Sequence, residues 1–280
     1  MREQIRLWFY SQLFMSVVLT QQAPFRRVLG YEKMLDEHGR EMHGSWGNQI
    51  DAEDAFARMG ADVMRWQYCA QPPDRNLLFG FGPAREIARK LLTLWNSVRF
   101  LVDYANIEGF VPTPADLDGG PDGLPLQPLD RWQLARTHAL VRDAEAAYEA
   151  TLTVDVIRAF EAFLDDLSNW YIRRSRRLFW TEDEAAFRTL WYALAQSLRV
   201  IAPVMPFLAD HLWRNLVRGR EASVHLSGWP EAPPADATLL DEIAAVRAVV
   251  ELGRQARSTS GLKLRQPLRR MGKILRIQPA

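Results

Sequence analysis

Asp166-Leu167-Ser168-Asn169-Trp170-Tyr171-Ile172-Arg173-Arg174-Ser175-Arg176-Arg177 is the stretch on which the fold turns. It lies inside a longer pattern, Val154 to Trp180, in which Val156, Phe160, Phe163, Leu167, Trp170 and Leu178 form one apolar stripe. Steps of three and four residues put such side chains on one side of an α-helix. Arg173, Arg174, Arg176 and Arg177 close the stretch, and no acidic residue opposes them between Ser168 and Trp180. The apolar side must pack on other helices, and the cationic end is left to solvent or to an anion.

The neighbouring sequence repeats the helical period. Ile87, Leu91, Leu94, Trp95, Val98, Leu101 and Val102 follow it, and Leu129 to Ala150 reads as a second helix. After the Val154–Trp180 helix comes a fourth, Glu182 to Ile201. Ala202-Pro203-Val204-Met205-Pro206 kinks it and Phe207 to Val217 continues it. Leu239 to Ser258 is a fifth helix, stopped by Ser260-Gly261. Pro112 to Pro128 is a Pro/Gly-rich connection, and Ser223 to Leu226 reads as a short extended piece before Trp229-Pro230. The expected fold is mainly α, with residues 85–230 as an antiparallel helix bundle and residues 231–280 as the start of a basic module. Trp8, Trp95, Trp191 and Trp213 sit in apolar spacing and read as core.

The first seventy residues differ. Ile5 to Leu19 reads as a short, mostly buried helix, with apolar residues on every face. Phe25 to Tyr31 has strand character, and Asp36 to Asn48 reads as an exposed loop. Asp51 can cap the next helix, whose first turn carries Glu53 and Asp54. Gly60 ends it and Ala61 to Tyr68 starts another. Gln71-Pro72-Pro73-Asp74, Gly80, Gly82 and Pro83 interrupt the pattern, so residues 71–84 read as a linker. One strand and a few helices do not make a doubly wound sheet. Residues 1–70 are therefore expected to be the end of a larger domain, cut at Met1.

The 280 residues carry a net charge of +1, so no global field points to nucleic acid. The distribution is uneven: from Leu252 to Ala280 there is no acidic residue, while Arg254, Arg257, Lys263, Arg265, Arg269, Arg270, Lys273 and Arg276 are basic. Cys69 is the single cysteine, which excludes an internal disulfide and a cysteine-rich zinc site and fits a reducing cytoplasm. The five histidines show no metal-ligand spacing. No apolar run approaches eighteen residues, and charge interrupts any signal-peptide core at Met1-Arg-Glu-Gln-Ile-Arg, so no membrane partner is expected.

Gly39-Arg40-Glu41-Met42-His43-Gly44-Ser45-Trp46-Gly47-Asn48-Gln49-Ile50 resembles the ATP-side signature loop of class I aminoacyl-tRNA synthetases, Lys-Met-Ser-Lys-Ser-x-Gly-Asn-x-Ile. Four more segments, in order, resemble the class Ia synthetases of the isoleucyl type. Gly60-Ala61-Asp62-Val63-Met64-Arg65-Trp66 is similar to the Gly-Ala-Asp-x-Leu-Arg that follows the loop. Asp166 to Arg177 is similar to the anticodon-domain helix. Pro203 to Trp213 resembles an Ala-Pro-x-x-Pro-Phe segment and is followed by Ser223-Val224-His225-Leu226. Gly261-Leu262-Lys263-Leu264-Arg265-Gln266-Pro267-Leu268 resembles the start of the C-terminal module. The family's His-Ile-Gly-His signature, the first half of the nucleotide fold and the editing domain are absent, so the chain corresponds to roughly the third quarter of such an enzyme.

The resemblance implies a Rossmann-type remnant carrying the loop (residues 36–50) and an anticodon-binding bundle. It also implies isoleucine–tRNA ligase activity for the complete enzyme, with ATP and Mg2+, and tRNA of the isoleucine type as partner. In the family the loop's second lysine stabilises charge on the departing phosphates, a contribution of about 3 kcal/mol for one good donor. Gly44 stands at that position and Glu41 at the first lysine's. Arg40 and His43 are the nearest substitutes. Met42, Ser45, Gly47 and Asn48 keep the loop's outline. The missing charges favour a plain surface loop over an active one, so this chain alone is expected to hold neither ATP nor Mg2+ stably and to form no adenylate. Asn169, Arg173, Arg176, Arg177 and Trp180 are the expected tRNA-contacting face, with guanidinium groups for phosphates and an indole for unpaired bases. The bland alternative is a solvated helix end whose cations suit the dipole. Arg174, on the apolar stripe, is expected to pair with Asp166 or Asp210. Lys263 and Arg265 could follow backbone phosphates, or be a basic remnant that has lost acidic partners. A non-catalytic tRNA-binding paralogue, a valyl or leucyl-type fragment, and a subunit binding a separate N-terminal catalytic half stay open.

Overall fold

Two three-residue strands form the sheet among the described residues. β1 (Met34–Asp36) runs parallel to β2 (Leu77–Phe79), with Leu35 opposite Leu78. The structure, a computed structural model, describes residues 4–121, 123–217, 223–263 and 265–267. Around the sheet the chain is mainly helical. It divides into two units, Met1–Ala235 and Asp236–Ala280.

In the first unit, α1 (Trp8–Thr20) buries none of its residues. This corrects the expected burial of Ile5 to Leu19: Trp8 is 58 % exposed, and Phe14, Val17 and Leu19 also face outward. The sequence pattern was apolar all round, but among the described residues no other helix packs extensively on this one. Phe25 to Tyr31 is not a strand; the pairing begins at Met34, where a partner strand exists.

α2 (Ala52–Met59) starts as expected, with the Asp51 carboxylate accepting the amides of Glu53 and Asp54. Gly60 then turns the chain at φ 80° into α3 (Ala61–Cys69), a backbone region that glycine enters without Cβ strain. β2 falls inside the stretch read as a linker and leads into α4 (Phe81–Glu108). The Gly82 amide, in the first turn of α4, donates to the Glu37 carboxylate at 2.8 Å. Gly80 lies so close that a Cβ there would sit 2.7 Å from the Glu37 Cβ. The Pro-rich connection contains α5 (Pro114–Gly119), whose Asp116 caps Thr113 and pairs with Arg188.

α6 (Pro128–Glu149) packs on α7 (Thr153–Asp165) and on α9 (Glu184–Ile201), and α9 packs on α10 (Pro206–Leu216). Nearly every residue of α9 is buried, which makes it the central helix. Trp191 and Trp213 belong to this core as expected; Trp95 does not, being 39 % exposed and stacked on His211.

The helix expected over Val154–Trp180 is not continuous. α7 passes into a π-helical turn, Asp166–Ile172, then the short α8 (Arg173–Ser175) and a 3-10 turn at Leu178–Trp180. Phe163, Leu167, Tyr171, Ser175 and Phe179 are all buried, at a strict spacing of four. An α-helix advances ~100° per residue, so a four-residue repeat drifts steadily off its face; wider π turns hold it in place. Tyr171 therefore takes the core position that the sequence stripe assigned to Trp170. Ser223 to Leu226 also differs from expectation: Val224–Leu226 forms a 3-10 turn.

The second unit consists of α11 (Ala237–Thr259), capped by Asp236, and a turn in which Arg257 donates to the carbonyls of Lys263 and Gln266.

Candidate nucleic-acid interface and signature loop

The π turn leaves Asn169, Arg173, Arg176, Arg177 and Trp180 exposed. Arg173, Arg176 and Arg177 have no ion-pair partner among the described residues. Unpaired guanidinium groups at a surface are ready to receive phosphate oxygens. Arg173 and Arg176 line one side of a groove of about 470 Å3, with Thr93, Asn96, Ser97 and Phe100 of α4 on the other. Asn169 sits beside the groove, its amide donating to Asp165 at 2.6 Å. The indole N–H of Trp180 donates to the Tyr104 hydroxyl at 2.9 Å, while the ring stays 57 % exposed. Beneath it, Phe100 meets Tyr104 at 4.7 Å and Phe179 at 5.1 Å. Cations and aromatic faces thus share one surface.

The remaining polar residues of this region are structural. Asp166 pairs with Arg136 at 2.7 Å, Asp210 pairs with Arg214, and Arg174 lies over the Trp170 ring at 3.6 Å. Tyr171 donates to the buried Asp130 at 2.7 Å, and burial pushes the Asp130 carboxyl above its ordinary range.

The signature loop is built around Asp36. Its carboxylate accepts the amides of His38 and Arg40 and the side chains of Arg40 and Asn48. Led by the Asn48 bond, these donors lower its pKa to about 2. Asn48 also takes the His43 amide at 3.0 Å and donates to the Glu41 carbonyl at 2.8 Å, so it fastens three points of the loop. Gly44-Ser45-Trp46 forms a 3-10 turn, ended by Gly47 at φ 70°. Met42 is half-buried, while Ser45 is exposed. Glu41 receives Lys33 at 2.9 Å, which together with His43 lowers its pKa, so it is ionised at neutral pH. Lys33 and Arg40, the cations nearest the loop, each meet a carboxylate of this chain. This arrangement does not fit a triphosphate with its magnesium: an anion occupies the site of one expected lysine and Gly44 the other. Among the described residues no group of three acidic, His or Cys side chains could hold a metal ion.

Three residues outside the expected set tie these regions together. Met205 precedes α10 without a side-chain cap, and Pro206 has no N–H. Asp62, from α3, supplies the missing acceptor: it takes the amides of Leu208 at 2.6 Å and Phe207 at 3.3 Å. One turn later Arg65 donates to the carbonyls of Pro203 and Val204 at 2.7 and 2.9 Å. Arg199 holds the next bend through the carbonyls of Ser227 and Gly228. The Asp62/Arg65 spacing on one helix, opposite a Pro-x-x-Pro bend, was the sequence signal for this clamp. The polar series Thr93, Asn96 and Ser97, with Phe100 on the same helix, was the signal for the groove. Lys263 and Arg265 are exposed in the second unit; Arg269, Arg270, Lys273 and Arg276 lie outside the described residues. No helix among the described residues is long and apolar enough to cross a membrane.

Residues 130–271 match the family described as the anticodon-binding domain of tRNA ligase, and residues 2–79 match the class I tRNA synthetases for I, L, M and V. The isoleucine–tRNA ligase of Thermus thermophilus is 40 % identical over 282 residues, which cover 95 % of this chain and 26 % of that protein. That of Deinococcus radiodurans is 42 % identical over 274 residues, 95 % of this chain and 25 % of its own length. Among solved structures, the LeuRS–tRNA–LeuAMS complex of Agrobacterium radiobacter aligns with a TM-score of 0.60 at 16 % identity, over 82 % of this chain and 27 % of that one. The chain spans about a quarter of the length of the curated relatives it matches. With the anticodon-binding match extending over half its residues, the chain belongs to the tRNA ligases that carry this anticodon-binding domain.

Proposed function

We propose that this chain is the tRNA-gripping part of an isoleucine–tRNA ligase. The complete enzyme would join isoleucine to its tRNA through an aminoacyl-adenylate, using ATP and Mg2+, in the cytoplasm. The observation that carries the reading is the set of unpaired guanidinium groups, Arg173, Arg176 and Arg177, beside the exposed ring of Trp180. Phosphate contacts position an RNA, and stacking platforms take its unpaired bases. Asn169 lies within that surface; in the second unit, Lys263 and Arg265 are further cations suited to phosphate contact. The helices of residues 85–230 act as an antiparallel anticodon-binding bundle, and residues 1–70 as the end of a Rossmann-type catalytic domain. The remainder of that domain, in the same or a separate polypeptide, would cover the apolar surface of α1, an area too exposed to be ordinary solvent-facing helix.

A second reading, a tRNA-binding module without catalysis, is favoured by one observation: Glu41 paired with Lys33 where the loop should present cations. Both readings share tRNA binding and part on chemistry. ATP–pyrophosphate exchange separates them. The chain alone is expected to show none; exchange by the purified chain would overturn that expectation. Restored exchange on mixing with a class I N-terminal half would favour the first reading, and its absence the second.

A further inference from the structure

We infer that the pocket where α4 and α10 end binds a small aliphatic amine, its ammonium group at the two helix ends and its hydrocarbon chain along the cleft between the helices. The site is separate from the arginine groove and does not depend on the tRNA-binding reading. α4 and α10 run in the same direction. Trp95 stacks on His211 along the way, and at the far end a pocket of about 370 Å3 joins Leu101, Ala105 and Gly109 to Asn215 and Leu216. That volume lies within the ~300–1,000 Å3 of small-molecule sites. Phe110, Val111 and Trp191 complete its apolar wall. A smaller hollow of about 160 Å3 shares Val102 and Asn215 with it and continues back to Trp95 and Val98, so the cleft is elongated.

The charge at the pocket selects the sign of the ligand. A helix carries roughly half a negative charge at its C-terminus. The carbonyls of Asn106, Ile107 and Glu108, at the end of α4, accept no hydrogen bond among the described residues, and neither do those of Arg214 and Asn215 in α10. The Leu216 carbonyl is taken by the Trp191 indole at 2.9 Å. α4 has no basic residue in its last turn to offset its dipole, and Arg214 is committed to Asp210. Glu108, next to Gly109, has no ion-pair partner among the described residues. Arg188, 5.7 Å from the Phe110 centroid, meets two carboxylates, Asp116 and Glu184, so that cluster is also net negative. The Asn215 amide donates to the His211 carbonyl at 2.7 Å, which leaves its oxygen to accept, and Asn106 has no hydrogen-bond partner among the described residues. Acceptors at one end and apolar walls behind them match an ammonium group, charged at neutral pH, on a hydrocarbon chain. A carboxylate would be repelled, and an alcohol would forgo the charge.

The test titrates the full chain with n-hexylamine, 1-hexanol and hexanoate, followed by NMR with the Phe110 and Trp191 ring signals as local reporters. Hexylamine should bind saturably and move both signals, roughly tenfold more tightly than hexanol, with hexanoate weaker still. Ala105→Leu fills the pocket on a helix that accepts leucine readily, and should abolish hexylamine binding. Glu108→Gln removes one charge without touching the packing, and should narrow the amine-to-alcohol ratio about threefold. Circular dichroism verifies the fold of both variants. Equal affinity for amine and alcohol, tighter binding of hexanoate, or an unchanged ratio in Glu108→Gln would overturn the choice of ligand. Hexylamine binding that survives Ala105→Leu, or no saturable binding by the wild-type chain, would overturn the site. Neither result touches the tRNA-binding reading, which is measured separately.

Discussion

Breaking the Asp62/Arg65 clamp should loosen the bend that joins α9 to α10. Asp62 gives α10 its N-terminal acceptor from a different helix, and loss of such a cap costs about 1 kcal/mol. Arg65 satisfies two carbonyls at 2.7 and 2.9 Å. Charge-assisted bonds contribute about 1.5–3 kcal/mol each when sheltered, and the exposure of Arg65 reduces this to roughly 1–2 kcal/mol for the pair. Asp62→Ala should therefore lower Tm by roughly 2–4 °C and Arg65→Ala by roughly 2–8 °C, given ~2–4 °C per kcal/mol for a unit of this size. Asp62→Asn keeps an acceptor and should fall between wild type and alanine. Because both side chains hold one bend, the double variant should lose less than the sum. Differential scanning calorimetry gives the Tm values, and amide hydrogen exchange at Phe207 and Leu208 reports the local opening. Unchanged Tm within about 1 °C, with unchanged exchange at those amides, would refute the reasoning.

The Asp36 carboxyl, with a pKa near 2 against an ordinary 3.8, stabilises the folded loop at every pH above the ordinary value. That contribution should fade as pH falls from about 4 to about 2, seen by carboxyl carbon NMR; a midpoint near 3.8 would contradict it. Tyr171→Phe removes the hydroxyl that serves buried Asp130 and should cost about 1–3 kcal/mol at neutral pH in urea denaturation. A raised carboxyl pKa costs stability above that pKa, so the loss should shrink as pH falls and Asp130 takes up its proton. A loss independent of pH would contradict this account of the pair.

Much of the helical architecture was legible because apolar spacing repeats over long segments. Leu129 to Ala150 and Leu239 to Ser258 fall within two residues of α6 and α11. The π turn was not legible. Trp170 and Tyr171 are both aromatic, and only the space left beside Asp130 decides which one enters the core. α1 was misread for a related reason: an apolar pattern states what a helix can bury, while the surface that buries it is decided elsewhere. The loop was legible as a motif and as a loss of lysines. That Asn48 would be spent holding Asp36 and Glu41 depended on a fold that spacing does not encode. The arginines were legible as a cationic run, but their spacing did not separate an RNA-facing surface from a solvated helix end, and Arg174 lies over the Trp170 ring. Their partners in the groove, Asn96 and Phe100, sit about seventy residues away and are brought there only by helix packing.

The central claim is that the Arg173/Arg176 face grips tRNA. Its most direct test is the salt dependence of tRNA binding by the chain and by its Arg173→Ala/Arg176→Ala variant. Each lost phosphate contact should reduce the slope of log affinity against log salt by about 0.7–0.9. The double variant should bind at least tenfold more weakly near physiological salt, with a slope lower by about 1.5. An unchanged affinity and an unchanged slope would contradict the account.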